Sequence, residues 1–313
     1  MPTVSVIMPV YNSADSVVAS IKSVLNQTLN DLELIIIDDG SYDNSCQLIE
    51  EVNDSRIKLF RQPNQGVSSA RNHGLHETTS EFIAFLDADD TWEPNFLKEM
   101  IVPLNQFPDV VLSYCGWQNV GLVGGRGEPF TPPDYECMTK SEMLLKGCPW
   151  PIHAALTRRM AIEKIGGFSE NFTFAEDYLL WLQIAFTRPI FRIPKVLSFY
   201  HFHNNQATQN KFQVAINARR AKLEFLRQNP ILIEKLGKEL IIKVIEKELL
   251  RSGYEAYWCG DLVTARPLLK AVMKSGYGDM KDWSRMLPCF LPFHFHCWLI
   301  ALIRNLRGDA IGM

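Results

Sequence analysis

The sequence lacks a Cys-x-x-Cys pair, an uninterrupted apolar run near the ~18 residues of a spanning helix, and an excess of charge of either sign. Each absence closes off a class of protein. Seven cysteines, at 46, 115, 137, 148, 259, 289 and 297, are odd in number and scattered over 313 residues. They read as reduced thiols of a cytoplasmic protein, not as a disulfide framework or a zinc site. The opening MPTVSVIMPVYN has neither the basic stretch nor the small-residue cleavage site of a secretory leader, and reads as a first strand. The nearest approach to a membrane span, Leu287 to Ile303, is interrupted by Pro292, His294 and His296. A formal net charge of −3 argues against a nucleic-acid binder, which needs a basic excess. No Gly-x-Gly-x-x-Gly follows the first strand, which removes a dinucleotide oxidoreductase.

A hydrophobic content of 47% is enough for one large core and a smaller appendage. Short β-branched runs at Val4–Val10, Leu32–Ile37, Ile57–Phe60 and Phe82–Leu86 predict buried strands. Between them, helical spacing covers Ser13–Gln27 (capped by Asn12 or Ser13), Asn44–Val52 and Val67–Thr78. Strands of continuous apolar character alternating with helices indicate a parallel sheet covered on both faces, with ligands beyond the carboxyl ends of the strands. The clusters Tyr11-Asn12, Asp38 to Ser41 and Asp87 to Asp90 all fall at those ends.

Further on, Phe96–Phe107 and Arg158–Ile165 suit helices, and Val110–Trp117 and Ala154–Thr157 suit strands. Gly121 to Pro133 is rich in glycine and proline and predicts a mobile loop. Glu176–Phe186 is an apolar helix, and Phe191–Tyr200 an extended stretch broken by Pro194. From about Phe212 the pattern is helical, with Tyr254 to Met273 as one hairpin resembling a lone tetratricopeptide unit.

The ordered motifs Pro9-Val10-Tyr11-Asn12, Asp38-Asp39-Gly40-Ser41, Gly66 through Ala70-Arg71-Asn72-His73-Gly74, Asp87-Ala88-Asp89-Asp90, and Gly166-Gly167-Phe168 followed by Glu176-Asp177 resemble the family 2 glycosyltransferases. The resemblance covers roughly residues 3 to 208. It implies an α/β GT-A fold, Rossmann-like with a mainly parallel sheet, and a helical C-terminal extension. Residues 1–208 would form the catalytic domain, with a nucleotide-sugar part over about 1–115 and an acceptor part over about 116–208. Residues 209–313 would be the helical region.

The implied reaction is inverting transfer of a hexosyl or hexosaminyl unit from a nucleoside-diphosphate sugar, a UDP-sugar first, onto a glycan or lipid-linked acceptor in surface polysaccharide or lipopolysaccharide synthesis. It implies Mn²⁺ or Mg²⁺, since hard cations take short carboxylates. Asp89 would be the direct ligand, with Asp87 at the metal's water shell or the ribose. His203 would complete the metal site, although the family's Tyr-Arg-x-His is here Tyr200-His201-Phe202-His203. Pro9, Tyr11, Asn12, Asp38, Asp39, Arg71 and Ala88 would contact the donor. Tyr11 stacks on the base, and Asp39 or Asp38 accepts its imide N–H. A structural Arg71 pairing with an inner carboxylate is the alternative. Asp177 would be the base, supported by Glu176, and His153 would face the acceptor.

The tail over 287–307, with Phe295, Trp298, Arg304 and Arg307, fits either the inner surface of a membrane or packing against the catalytic domain or a dimer partner. Two other functions compete. A sugar-1-phosphate nucleotidyltransferase would want a basic, Gly-rich loop after strand one, which Pro9-Val10-Tyr11-Asn12 is not. A degenerate binding or scaffold protein would have no need of Asp39, Asp89 and Asp177.

Overall fold

Runs of β-branched residues without a polar break make strands that both faces of a sheet can bury. β1 (Val4–Val10) and β2 (Leu32–Asp38) are buried at every position. The computed structural model describes residues 2–122, 127–202 and 210–307, without the side chains of 299, 301 and 303–307. The chain divides into two compact units, Met1–Gln209 and Asn210–Met313.

The first unit is built on one eight-stranded sheet. To β1 and β2 it adds β3 (Ile57–Arg61), β4 (Phe82–Phe85), β5 (Thr91–Trp92), β6 (Leu112–Val120), β7 (Ala155–Arg158) and β8 (Ile190–His201). Their order is β3-β2-β1-β4-β7-β6-β8-β5. β3, β2, β1 and β4 pair in parallel, as do β6 and β8, whereas β7 and β5 run against their neighbours. The sheet is therefore mixed. The helices are α1 (Val17–Leu25), α2 (Ser45–Glu50), α3 (Val67–His76), α4 (Phe96–Gln106), α5 (Lys140–Lys146), α6 (Arg159–Ile165) and α7 (Glu176–Ala185).

Several details differ from the sequence expectation. The first helix begins at Val17, not Ser13, and neither Asn12 nor Ser13 caps it. Asn12 lies instead in the left-handed region (φ 51), with its side chain accepting from the Tyr42 N–H. β8 runs unbroken through Pro194. Ile193 pairs with Cys115 and Val196 with Gly116, so an irregularity absorbs the residue that cannot donate. Within the Gly121–Pro133 stretch, Phe130 pairs antiparallel with Trp117. The helix α3 lies so close to β1 that a Cβ on Gly74 would sit 2.4 Å from Ile7 Cγ2.

The second unit is helical: α8 (Lys211–Gln228), α9 (Pro230–Leu236), α10 (Lys238–Trp258), α11 (Leu262–Lys274), α12 (Met280–Met286) and α13 (Phe293–Arg307). α10 and α11 form the hairpin foreseen from the sequence, but its first arm starts at Lys238, well before Tyr254. Asp261 caps α11 by accepting from the Thr264 N–H. The core of this unit gathers Leu249, Leu268, Leu269, Val272 and Met286. Among the described residues no helix is long and apolar enough to cross a membrane.

Candidate active site

Because β1, β2 and β4 are parallel, their carboxyl ends and the polar clusters that follow meet at one rim. Asp39 N donates to Val10 O over 2.8 Å, continuing the ladder past the strand ends. Ser41 Oγ accepts from Asn12 N at 2.9 Å, and Asp43 accepts from Ala14 N at 3.1 Å, so the loops after β1 and β2 are laced together. The Tyr11 ring meets Tyr42 edge to face with centroids 6.2 Å apart. Tyr11 is 48% and Tyr42 84% exposed, an open aromatic lip suited to a flat base. Pro9 sits inside β1, paired with Ile37.

Asp38 and Asp39 are both buried. The Asp38 carboxylate accepts from Ser41 N. Asp39 accepts three hydrogen bonds, from Gln62 Nε2 (2.8 Å), Gln65 N (2.9 Å) and Gly66 N (2.8 Å). It thereby fixes the entry to α3, where Gly66 has φ 89, a conformation that glycine takes without strain.

Arg71, on α3, is the hub. Its Nη2 donates to Asp87 Oδ1 at 2.7 Å and its Nη1 to Glu176 Oε1 at 2.8 Å. Its guanidinium lies 5.3 Å from the Phe168 ring centroid. Its side chain is only 3% exposed. Burial works against the charge, but Asp87 and Glu176 outweigh it and hold the pKa above the ordinary arginine value. Beside it, Asn72 Nδ2 donates to Phe168 O (3.0 Å) and Asn72 Oδ1 accepts from Phe168 N (2.8 Å). Two adjacent α3 residues thus gather the Asp87 motif, Phe168 and the acidic pair. The structural pairing considered for Arg71 is present, with both carboxylate partners lying in motifs of the site.

Glu176 and Asp177 open α7, where acidic side chains suit the helix N-terminus. The preceding Ala175 is left-handed (φ 59). Among the described non-glycine residues only Asn12 and Ala175 have positive φ, and both border this rim. The Asp177 pKa is pushed up to about 7 by burial and then by the Glu176 charge, with Arg71 pulling the other way. The Cys148 thiol lies 3.9 Å from Asp177 Oδ2. No motif of the sequence links this neighbour to Asp177, since it comes from the distant loop after α5.

Asp90 and His153 are buried together, with His153 Nδ1 2.8 Å from Asp90 Oδ2. His153 therefore packs behind the Asp87–Asp90 turn, which corrects the expectation that it faces the acceptor. Burial pushes the Asp90 pKa up to about 6, with His153 opposing. Asp90 Oδ1 also accepts from His201 N (3.0 Å), and His201 Nε2 meets Thr91 Oγ1 at 2.8 Å. The turn is pinned to β8 in this way, a role no sequence motif announced. Ala88 is buried, and Asp87 and Asp89 are half-buried. His203 lies outside the described residues.

Among the described residues no group of three or more His, Cys, Asp or Glu could enclose a metal. Asp87, with one oxygen on Arg71, and Asp89 offer carboxylate oxygens at a strand end, an all-oxygen donor chemistry. That chemistry fits a hard divalent cation, which keeps several waters and takes its other oxygens from substrate phosphates. It does not fit a closed structural zinc site.

A family model described as glycosyl transferase family 2 matches residues 5–166. The Escherichia coli UDP-Glc:alpha-D-GlcNAc-diphosphoundecaprenol beta-1,3-glucosyltransferase WfgD is 36% identical over 216 residues, covering 67% of this chain and 81% of that protein. An uncharacterized glycosyltransferase from Rickettsia bellii is 32% identical over 206 residues, 66% of this chain, but the chain spans only 29% of its length. Among solved structures, S. aureus TarS 1–349 in complex with UDP-GlcNAc superposes with TM-score 0.59 at 18% identity, over 88% of this chain and 93% of that one. The mannosyltransferase PcManGT from Pyrobaculum calidifontis, in complex with GDP-Man and Mn²⁺, gives TM-score 0.59 at 19% identity, over 99% and 88%. At such identities the likeness speaks for the fold, which is GT-A.

Proposed function

This chain belongs to glycosyl transferase family 2, and from that premise we propose that it moves a hexosyl unit from a UDP-sugar onto a hydroxyl of a lipid-linked glycan, inverting the anomeric carbon. One observation carries the reading: Arg71 bridges Asp87 of the DxD motif and Glu176, the neighbour in sequence of the candidate base Asp177. The WfgD relative, named for a UDP-glucose donor and a diphosphoundecaprenol-linked acceptor, supports the choice of substrate classes.

In the proposed reaction the acceptor oxygen attacks the anomeric carbon and the bond from that carbon to the diphosphate oxygen breaks. Asp177 takes the hydroxyl proton, and the nucleoside diphosphate leaves with the bonding pair. A carboxylate whose pKa is near 7 is a stronger base than an ordinary aspartate, yet is still ionised in part at neutral pH. Tyr11 offers its face to the base of the donor. Asp39 holds the α3 entry in place, and α3 in turn orients Arg71. Arg71 sets the spacing between donor and acceptor sides by bridging Asp87 and Glu176. Asp89 and Asp87 would hold Mn²⁺ or Mg²⁺, which when bound supplies positive charge against the departing diphosphate.

The test is UDP release from a UDP-hexose panel with a polyprenyl-diphosphate-linked sugar as acceptor, beside thermal shift with UDP and Mn²⁺. Wild type should turn over and gain stability from the nucleotide and metal together. Asp89→Ala should lose both, and Asp177→Asn only the turnover. Nucleotide binding without turnover on any acceptor would favour a scaffold. Pyrophosphorolysis of the sugar nucleotide would favour a nucleotidyltransferase.

A further inference from the structure

The last helix leaves an apolar stripe exposed. In α13, His296 is fully buried with neither ring nitrogen hydrogen-bonded, while Phe295 is 50%, Trp298 55% and Leu302 39% exposed. Positions 295, 298 and 302 follow the i, i+3, i+7 spacing that puts side chains on one helix face, and the Phe295 and Trp298 rings meet at 5.3 Å. An apolar stripe thus faces water, while His296 lies buried. Leu287, Phe290 and Phe293, just before, are also exposed. A concentration of exposed aromatics like this marks a surface with a partner.

The charge of the segment selects the partner. From Trp283 to Arg307 the sequence has no Asp or Glu, but has Arg285, Arg304 and Arg307. On the neighbouring helix, Lys270 Nζ lies 5.3 Å from the Phe290 ring. Aromatic side chains with cations and without anions suit the headgroup layer of an anionic bilayer, where ring and charge each find a favourable depth. Over its described residues the helix is not long and apolar enough to cross, so it would lie in the plane.

We propose that α13 is an interfacial anchor that docks this chain on anionic phospholipid through Phe295, Trp298 and Leu302. The inference stands on the helix alone and does not depend on the transfer reaction. Such an anchor would keep the catalytic unit within reach of lipid-borne substrate.

The experiment is flotation of the full chain, without donor or acceptor, on vesicles of phosphatidylcholine alone and on vesicles also containing phosphatidylglycerol. Wild type should float with the anionic vesicles, float poorly with the neutral ones, and lose binding as salt is raised. Phe295→Ser combined with Trp298→Ser should lower the bound fraction about tenfold, consistent with losing two buried aromatic rings. Val263→Ser, exposed elsewhere on the unit, should leave it unchanged. Salt dependence of the wild type keeps the test open if the double variant misfolds. No flotation on either vesicle overturns the proposal, as does binding that salt and the double variant leave intact. A dimer that the double variant dissolves, with no vesicle binding, would assign the face to a second copy instead.

Discussion

Asp177 is an acid whose surroundings favour its neutral form, and two consequences follow at that residue. Because its folded pKa is raised above the unfolded value, the stability it contributes is complete at low pH and is lost as pH rises through about 7. Asp177→Asn should therefore melt higher than wild type at pH 8 and show much less gain at pH 5. It should also lower kcat by roughly 10²–10⁴, the usual loss when a positioned base is removed. In wild type, kcat/KM should fall on the acid side with an apparent pKa near 7. Glu176→Gln removes a like charge and frees Arg71 to act on Asp177, so that limb should move to lower pH. A limb that stays in place would mean that another group controls ionisation. Since the two carboxylates interact, the limb reports the pair and not one oxygen.

At the scale of elements, α3 is the part that holds the rim together. It packs on β1 through Gly74, reaches Asp87 and α7 through Arg71, and clasps Phe168 through Asn72. Arg71→Met would leave two carboxylates facing each other without their cation, at a cost of roughly 3–5 kcal/mol. Gly74→Ala would drive a methyl group into Ile7 and cost about 1–3 kcal/mol by overpacking. Both are read from denaturant midpoints, and the Arg71 variant should also lose turnover. A smaller cost for Arg71→Met than for Gly74→Ala would contradict the bridging role.

Much of this was legible because strand ends are abrupt. Ile37 to Asp38 and Leu86 to Asp87 change from apolar to acidic in one step, and a parallel sheet must gather such ends. Reversed β7 and two-residue β5 were not legible as such, since an apolar run such as Ala154–Thr157 carries no sign of direction. The break expected at Pro194 is an irregularity within β8, where Pro194 and Lys195 fall between the paired Ile193 and Val196. The link from Asp90 to His153 joins residues far apart in sequence, and no local spacing encodes it. Arg71 stands in a recognisable motif, but its partners Asp87 and Glu176 lie 16 and 105 residues away, beyond the reach of any local spacing.

For the whole molecule, the sheet, the rim and every described site residue lie in Met1–Gln209. A chain of residues 1–209 should therefore melt cooperatively and keep the shift with UDP and Mn²⁺, while losing vesicle flotation. Scanning calorimetry and the flotation assay read the two properties separately. Absence of a cooperative transition would show that the helical unit is needed for folding.

The sheet ends in β3 on one flank and β5 on the other. One carries Lys58 and Arg61, and the other offers only Thr91 and Trp92. An incoming extended chain would meet Lys58 and Arg61, held in ion pairs with Glu33 and Glu50, on the first side and almost no length to zip along on the second. Flanks of this kind disfavour edge-to-edge pairing, whereas the inner strands, nearly continuous aliphatic sequence, have the composition most prone to stacking when unfolded.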